Sequence, residues 1–202
     1  MKRKIYIYLA GSIQKAHETS GFLWTHKDRE TLQIELPQFD VHFLNPAFRM
    51  DDLSDQKSVF GRDMLQVYSC DIVLVDARDR RGLGVGAEMM WAKMNTVPVI
   101  TWAPRETHYH KQNTVILGVP VRDFVHPFVN GLSDAVVETL AEAAQKIYQL
   151  LEKPSAVHGP EIIADAMKYY QETQLHRDGP MSEMIQSNPS LLNRLKKFQH
   201  QK

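Results

Sequence analysis

Attack on a carbon centre needs a carboxylate that is ionised, fixed and closely approached by its substrate. One stretch of this 202-residue chain offers the residue types for that. The run Gly82-Leu83-Gly84-Val85-Gly86-Ala87-Glu88 sets alternating glycines just ahead of a glutamate. Gly84 and Gly86 would let the backbone come close to a ligand. The run then enters a helix whose first turn is expected to hold Glu88, facing the positive end of the helix dipole and so kept ionised. Such a carboxylate suits attack on an anomeric carbon. The same run satisfies the G-x-G-x-x-G/A pattern of dinucleotide sites, but that pattern follows the first strand and is answered by an acid at the end of the next. Here the next strand-like run ends Ile100-Thr101-Trp102. A helix-start glutamate without chemistry is the plainer alternative.

Asp63 strengthens the chemical reading. In the segment beginning near Asp55 the apolar positions are Val59, Phe60, Met64 and Val67, and residue 63 lies four after the first and four before the last. An acid on an inward stripe is expensive unless partnered or functional; the alternative is a stripe-edge aspartate paired with Arg62 or Lys57 in solvent. Tyr8 lies near the carboxyl end of the first strand-like run, on the same face as Tyr6. The turn Gly11-Ser12-Ile13 that follows is a natural seat for a hydroxyl or phosphate. His108-Tyr109-His110 reads as a polar loop, Cys70 as a small buried hydrophobe, and Met89, Met90, Trp91 and Met94 as helix packing.

These residues need a frame. Apolar runs at Ile5–Ala10, Val41–Leu44, Ile72–Asp76 and Val97–Thr101 read as central strands, with a weaker fifth at Val119–Val125. Helical spacing fills the gaps: roughly Ala16–Leu36, from Ser54 or Asp55 onward, Val85–Met94, and a long helix capped by Ser133 and running to Lys153-Pro154. Alternating strand and helix predicts an α/β fold, a flavodoxin-like or Rossmann-like parallel five-stranded sheet with helices on both faces. Ligands of such sheets bind at the carboxyl ends of the strands. Residues 154–202 carry short amphipathic pieces broken by His158-Gly159-Pro160, Asp178-Gly179-Pro180 and Asn188-Pro189. They read as a C-terminal helical extension to a domain spanning 1–153.

Composition narrows the function classes. Lys+Arg and Asp+Glu are equal at 24 each, which argues against a strongly basic nucleic-acid binder. One cysteine excludes an internal disulfide framework and a multi-cysteine zinc site. No apolar stretch approaches the ~20 residues a bilayer needs, and the opening Met-Lys-Arg-Lys lacks signal-peptide form. The expectation is a cytoplasmic protein with no membrane or nucleic-acid partner.

Taken in order, Tyr8-Leu9-Ala10-Gly11-Ser12-Ile13, Arg62-Asp63-Met64-Leu65, Cys70-Asp71-Ile72-Val73-Leu74-Val75 and Gly84-Val85-Gly86-Ala87-Glu88-Met89 resemble the nucleoside 2-deoxyribosyltransferase family, which includes related N-glycosidases of nucleoside 5'-monophosphates. The similarity covers about residues 4 to 150. It implies a homo-oligomer, often with a neighbour completing each site, and a nucleoside or nucleotide substrate with no cofactor or metal. It implies that Glu88 forms a glycosyl-enzyme intermediate, that Tyr8 orients Glu88, and that Asp63 contacts the sugar or helps protonate the leaving base. Gly11, Ser12 and Ile13 would line the ribose and its 5' end, with Gly84 and Gly86 forming the wall beside the sugar. Two positions depart from the family. Gly82 stands where transferases commonly carry an acid and the monophosphate hydrolases a serine, and Gln14 where those hydrolases carry a basic residue. Lys15, Arg81 and Arg105 are the cations available for a phosphate. Competing expectations are a non-catalytic nucleotide-sensing module on the same scaffold, and a hydrolase of larger nucleotide derivatives reached by the Arg105–Gln112 loop.

Overall fold

The computed structural model describes residues 2–13 and 23–199. Four of the expected central strands form: β1 (Arg3–Ala10), β2 (Phe39–Leu44), β3 (Ile72–Asp76) and β4 (Val99–Trp102). With β7 (Ala135–Val137) they make one parallel sheet in the order β2-β1-β3-β4-β7. This is the flavodoxin-like order, and its direction reverses between β1 and β3, the place where ligands of such sheets bind.

Helices cover both faces: α1 (His26–Glu35), α2 (Gln56–Ser69), α3 (Leu83–Met94), α4 (Pro127–Leu132) and α5 (Leu140–Glu152). Alternation along β1 sends Ile5, Ile7 and Leu9 into an apolar cluster with Leu32 of α1 and Ile147 of α5. Tyr8 and Ala10 go to the opposite face, among Val67 of α2 and Val85, Met89 and Ala92 of α3. The expected first helix is shorter at its described end. Thr25 caps it through a reciprocal pair with Asp28, at 3.1 and 2.9 Å. Residues 16–22 of that expectation, with Gln14 and Lys15, lie outside the described residues.

Two expectations need correction. Val119–Val125 is a strand, β6, but it pairs antiparallel with β5 (His110–Ile116) in a separate hairpin. Leu117 and Gly118, both at positive φ, form its two-residue turn, the backbone geometry that matches hairpin twist. The fifth strand of the sheet is Ala135–Val137, expected as the opening turn of the long helix. That helix starts at Leu140 because Thr139, not Ser133, caps it, accepting from the Glu142 amide at 3.1 Å.

The chain divides into two units after Gly159 rather than after Lys153. Residues 154–159 belong to the first unit: Val157 packs on the core, and the His158 carbonyl accepts from Lys93 at 3.0 Å. The second unit holds α6 (Glu161–Thr173), a short 3-10 turn, α7 (Gly179–Gln186) and α8 (Pro189–Gln199). Asp178 caps α7 and accepts from the Tyr170 hydroxyl at 2.6 Å. Among the described residues no helix is long and apolar enough to cross a membrane.

Candidate functional site

On the α2/α3 face, Tyr8 donates its hydroxyl to Oε1 of Glu88 at 2.9 Å, a buried contact across 80 residues of sequence. Glu88 can reach Tyr8 because it occupies the middle of the stripe that α3 lays on the sheet. Val85, Glu88, Met89 and Ala92 recur at helical spacing and all are buried. Glu88 is 9% exposed, and its second oxygen, Oε2, is buried with no hydrogen-bond partner among the described residues.

This placement corrects the expected electrostatics. Gly82 is the cap of α3, so Glu88 lies in the second helical turn and no acid stands in the first. The dipole contribution falls off within that first turn. Burial dominates instead and pushes the Glu88 carboxyl up to about 7; the Tyr8 hydroxyl pulls it down and the charge of Asp63 pushes it further up. Tyr8 is itself raised far above its ordinary value, by burial first and then by the Glu88 charge.

Asp63 stands at 16% side-chain exposure in the middle of α2, within electrostatic reach of both Glu88 and Tyr8. The three expected chemical side chains therefore share one neighbourhood. The alternative reading holds in part: Asp63 does pair with Arg62, but its side chain is only 16% exposed and Arg49 joins the pair. Arg49 and Arg62 each approach its Oδ1 at 3.4 Å, whereas Oδ2 accepts no hydrogen bond from the described residues. Burial raises the Asp63 carboxyl above its ordinary value, with Arg49 and Arg62 pulling the other way.

The turn after β1 is held by packing as much as by any ligand. Trp24 donates to the Ala10 carbonyl at 3.1 Å, and a Cβ at Gly11 would lie 3.1 Å from that same indole nitrogen. Ser12 accepts from Nη1 of Arg81 at 2.7 Å, and Ile13 is exposed. Gly84 and Gly86 lie inside α3, not in a loop, and a Cβ at either would meet nothing within 4 Å. No protein atom crowds them, so their lack of side chains leaves space and is not a packing necessity.

Arg81 is not a free phosphate cation. Its guanidinium pairs with Asp76 at 3.0 Å and also donates to the Asp76 carbonyl, while the Tyr109 hydroxyl accepts from its amide at 2.8 Å. Arg105, the other described candidate, is engaged by Glu138 at 2.7 Å. A surface depression lined by Lys2, Lys4, Gln33, Phe39, Asp40 and Val41 opens at the amino ends of β1 and β2, the end opposite the site.

Sequence reasoning missed Arg49 and Asp51. They lie in the irregular segment after β2, where no periodicity marks them, but the position was available: it follows a strand's carboxyl end.

Neither a protein-family model nor a curated protein matches the chain. Its fold has a solved likeness. A conserved protein from Enterococcus faecalis V583 superposes with a TM-score of 0.50 at 16% identity, covering 74% of this chain and 99% of its own. That likeness shows the fold alone.

Proposed function

We propose that the protein cleaves or transfers the N-glycosidic bond of a (deoxy)nucleoside or nucleoside 5'-monophosphate through a glycosyl-glutamate intermediate. One observation carries the reading: a buried glutamate with one oxygen oriented by Tyr8 and the other left without a partner. A buried carboxylate oxygen without a partner is costly and calls for an explanation, and the approach of a sugar C1' from that side supplies one.

In the first step the Glu88 carboxylate bonds to C1' as the C1'–N bond breaks, its electron pair leaving with the base. Asp63 in its protonated form gives its proton to the departing base and recovers one from the attacking water or acceptor base in the second step. In the second step water or a second base attacks C1', the C1'–Oε bond breaks, and Glu88 is regenerated. The Tyr8 hydroxyl keeps the carboxylate aimed through both steps. Oligomerisation belongs to the same reading: α2 and α3 leave Phe60, Leu65, Tyr68 and Met94 exposed.

The test is a panel of nucleosides, deoxynucleosides and their 5'-monophosphates, with and without an acceptor base, assayed for free or exchanged base. Glu88→Ala and Glu88→Gln are expected to lower the rate by about a thousandfold or more. Base release at wild-type rates in either variant removes Glu88 as the nucleophile. Binding of nucleotides with no base release from any member of the panel favours the sensing module instead.

A further inference from the structure

The unit after Gly159 lies beyond the residues that carry the family resemblance. Its helices follow one another as a string: α6 packs on the 3-10 turn at Leu175–Arg177, the turn on α7, and α7 on α8. A chain of about 40 residues seldom holds a fold on its own core without disulfides, metal or oligomerisation. Here Ile185 is the only buried apolar side chain of the unit among the described residues. On α6, Ile162, Ile163, Ala166, Tyr169 and Tyr170 recur at spacings of three and four along one side. The Tyr170 hydroxyl is engaged by Asp178, but Ala166, Met167 and Tyr169 are exposed, and so is Met184 of α7. Most of the stability of a short amphipathic helix comes from what covers its apolar side, so α6 needs a partner.

The charges point to what that partner is. α6 carries Glu161, Asp165 and Glu172 against a single base, Lys168, and α7 adds Glu183. The sequence of α8 holds Arg194, Lys196 and Lys197 and no acid, with half-buried leucines four apart at 191 and 195. Asp165, Glu172, Glu183 and Arg194 are exposed. Helices of opposite sign in one unit make it complementary to itself, whereas a surface for a strongly charged partner of another kind would carry one sign. We propose that the C-terminal unit is a pairing element for a second copy of this chain, α8 of each copy docking on α6 of the other about a two-fold axis. An isologous pair makes each contact twice. At 13 residues α6 is about 20 Å long. Two helix-on-helix contacts of that length bury on the order of 1,500 Å² in total, the size of a standard stable interface. The pairing is independent of the glycosidic reading.

The test reads subunit number by sedimentation at fixed concentration, with far-UV circular dichroism checking that the helices remain. The full chain is expected to associate one step further than residues 1–159, whose core draws every member from Ile5 to Val157. One full-chain variant reverses α8 with Arg194→Glu, Lys196→Glu and Lys197→Glu. Another reverses the acidic side with Asp165→Lys, Glu172→Lys and Glu183→Lys. Alone, each sets like charges against like, and its dissociation constant for this step should rise about a hundredfold. Mixed in equal amounts, the two variants are complementary in both contacts and should recover the wild-type subunit number. Pairing of the same helices within one chain cannot be rescued by mixing, so a mixture that stays small overturns the proposal. Equal subunit numbers for the full chain and residues 1–159 overturn it as well, and that comparison decides should a reversed variant lose its helices. Base release enters none of these readouts, so the glycosidic reading stands or fails separately.

Discussion

Glu88 is held at the expense of the fold, and pH reveals by how much. A carboxyl raised from 4.5 to about 7 is bound to its proton more tightly in the folded chain than in the unfolded one. Its contribution is therefore fully present below about 4.5 and is lost as pH rises through about 7. The ionised form costs on the order of 3 kcal/mol above that window. Glu88→Gln removes the ionisation and keeps the shape, and its amide oxygen can still accept from Tyr8. The variant is expected to melt above wild type at pH 8 by roughly 2–10 °C, with the gain fading toward pH 4.5. Equal melting at pH 8 would mean that the carboxyl is not raised. The sequence held the signal for this, because Glu88 falls on the stripe of Val85, Met89 and Ala92. The alternating glycines before it suggested a loop, which moved the helix start too late and put Glu88 in the wrong turn. Asp63 was legible because its stripe on α2 carried no competing glycine pattern. Arg49 was not, since its partners Asp51 and Asp63 are brought to it by the segment's path and not by helical or strand spacing.

At the scale of elements, the site depends on the turn from β3 into α3 ending at a fixed place. Asp76 does much of this. It is fully buried at the carboxyl end of β3 and holds Arg78 at 2.9 Å and Arg81 at 3.0 Å. Arg78 lies over the Trp102 ring at 4.0 Å from its centroid, and Arg81 reaches Ser12 in the turn after β1. One carboxylate thus ties the ends of β1, β3 and β4 together. Asp76→Ala removes the carboxylate that both guanidinium groups share, while Arg78 keeps Asp28 and the Leu23 carbonyl and Arg81 keeps the residue-76 carbonyl and Ser12, so the expected loss is about 1–3 kcal/mol, a fall of roughly 2–12 °C in melting temperature. Circular dichroism melts would read it, and a variant melting within about 2 °C of wild type would assign the turn's order to something else. The first four strands were legible as short β-branched runs ending at turns. The fifth was not, because Val136, Val137 and Leu140 run on into helical spacing and three strand residues are too few to show alternation. The overlooked mark was Thr139 with Glu142, a threonine and a glutamate three apart that begin a helix rather than continue one. The hairpin was half legible: its second strand was found, but without its partner it was assigned to the wrong sheet.

For the whole molecule, the division after Gly159 can be tested by cutting there. Both apolar clusters that sandwich the sheet draw every member from residues between Ile5 and Val157, so the first unit carries a complete core of its own. The six residues after Lys153 matter to that core more than their irregular form suggests. Lys93 and Asp134 form an ion pair with both side chains out of solvent, and a charge pair in that position needs its remaining valences filled. His158 fills two of them, its amide donating to Asp134 at 2.9 Å and its carbonyl accepting from Lys93 at 3.0 Å. A chain of residues 1–159 is expected to stay soluble and melt in one cooperative step close to the full-length protein. A chain of residues 1–153 removes Val157 from the core and both His158 bonds from the ion pair. It should lose about 1–3 kcal/mol, a further fall of roughly 3–10 °C. Equal melting of the two truncations would show that the ion pair needs no cover from His158, and a non-cooperative melt of residues 1–159 would show that the first unit is not independent of the helices beyond it.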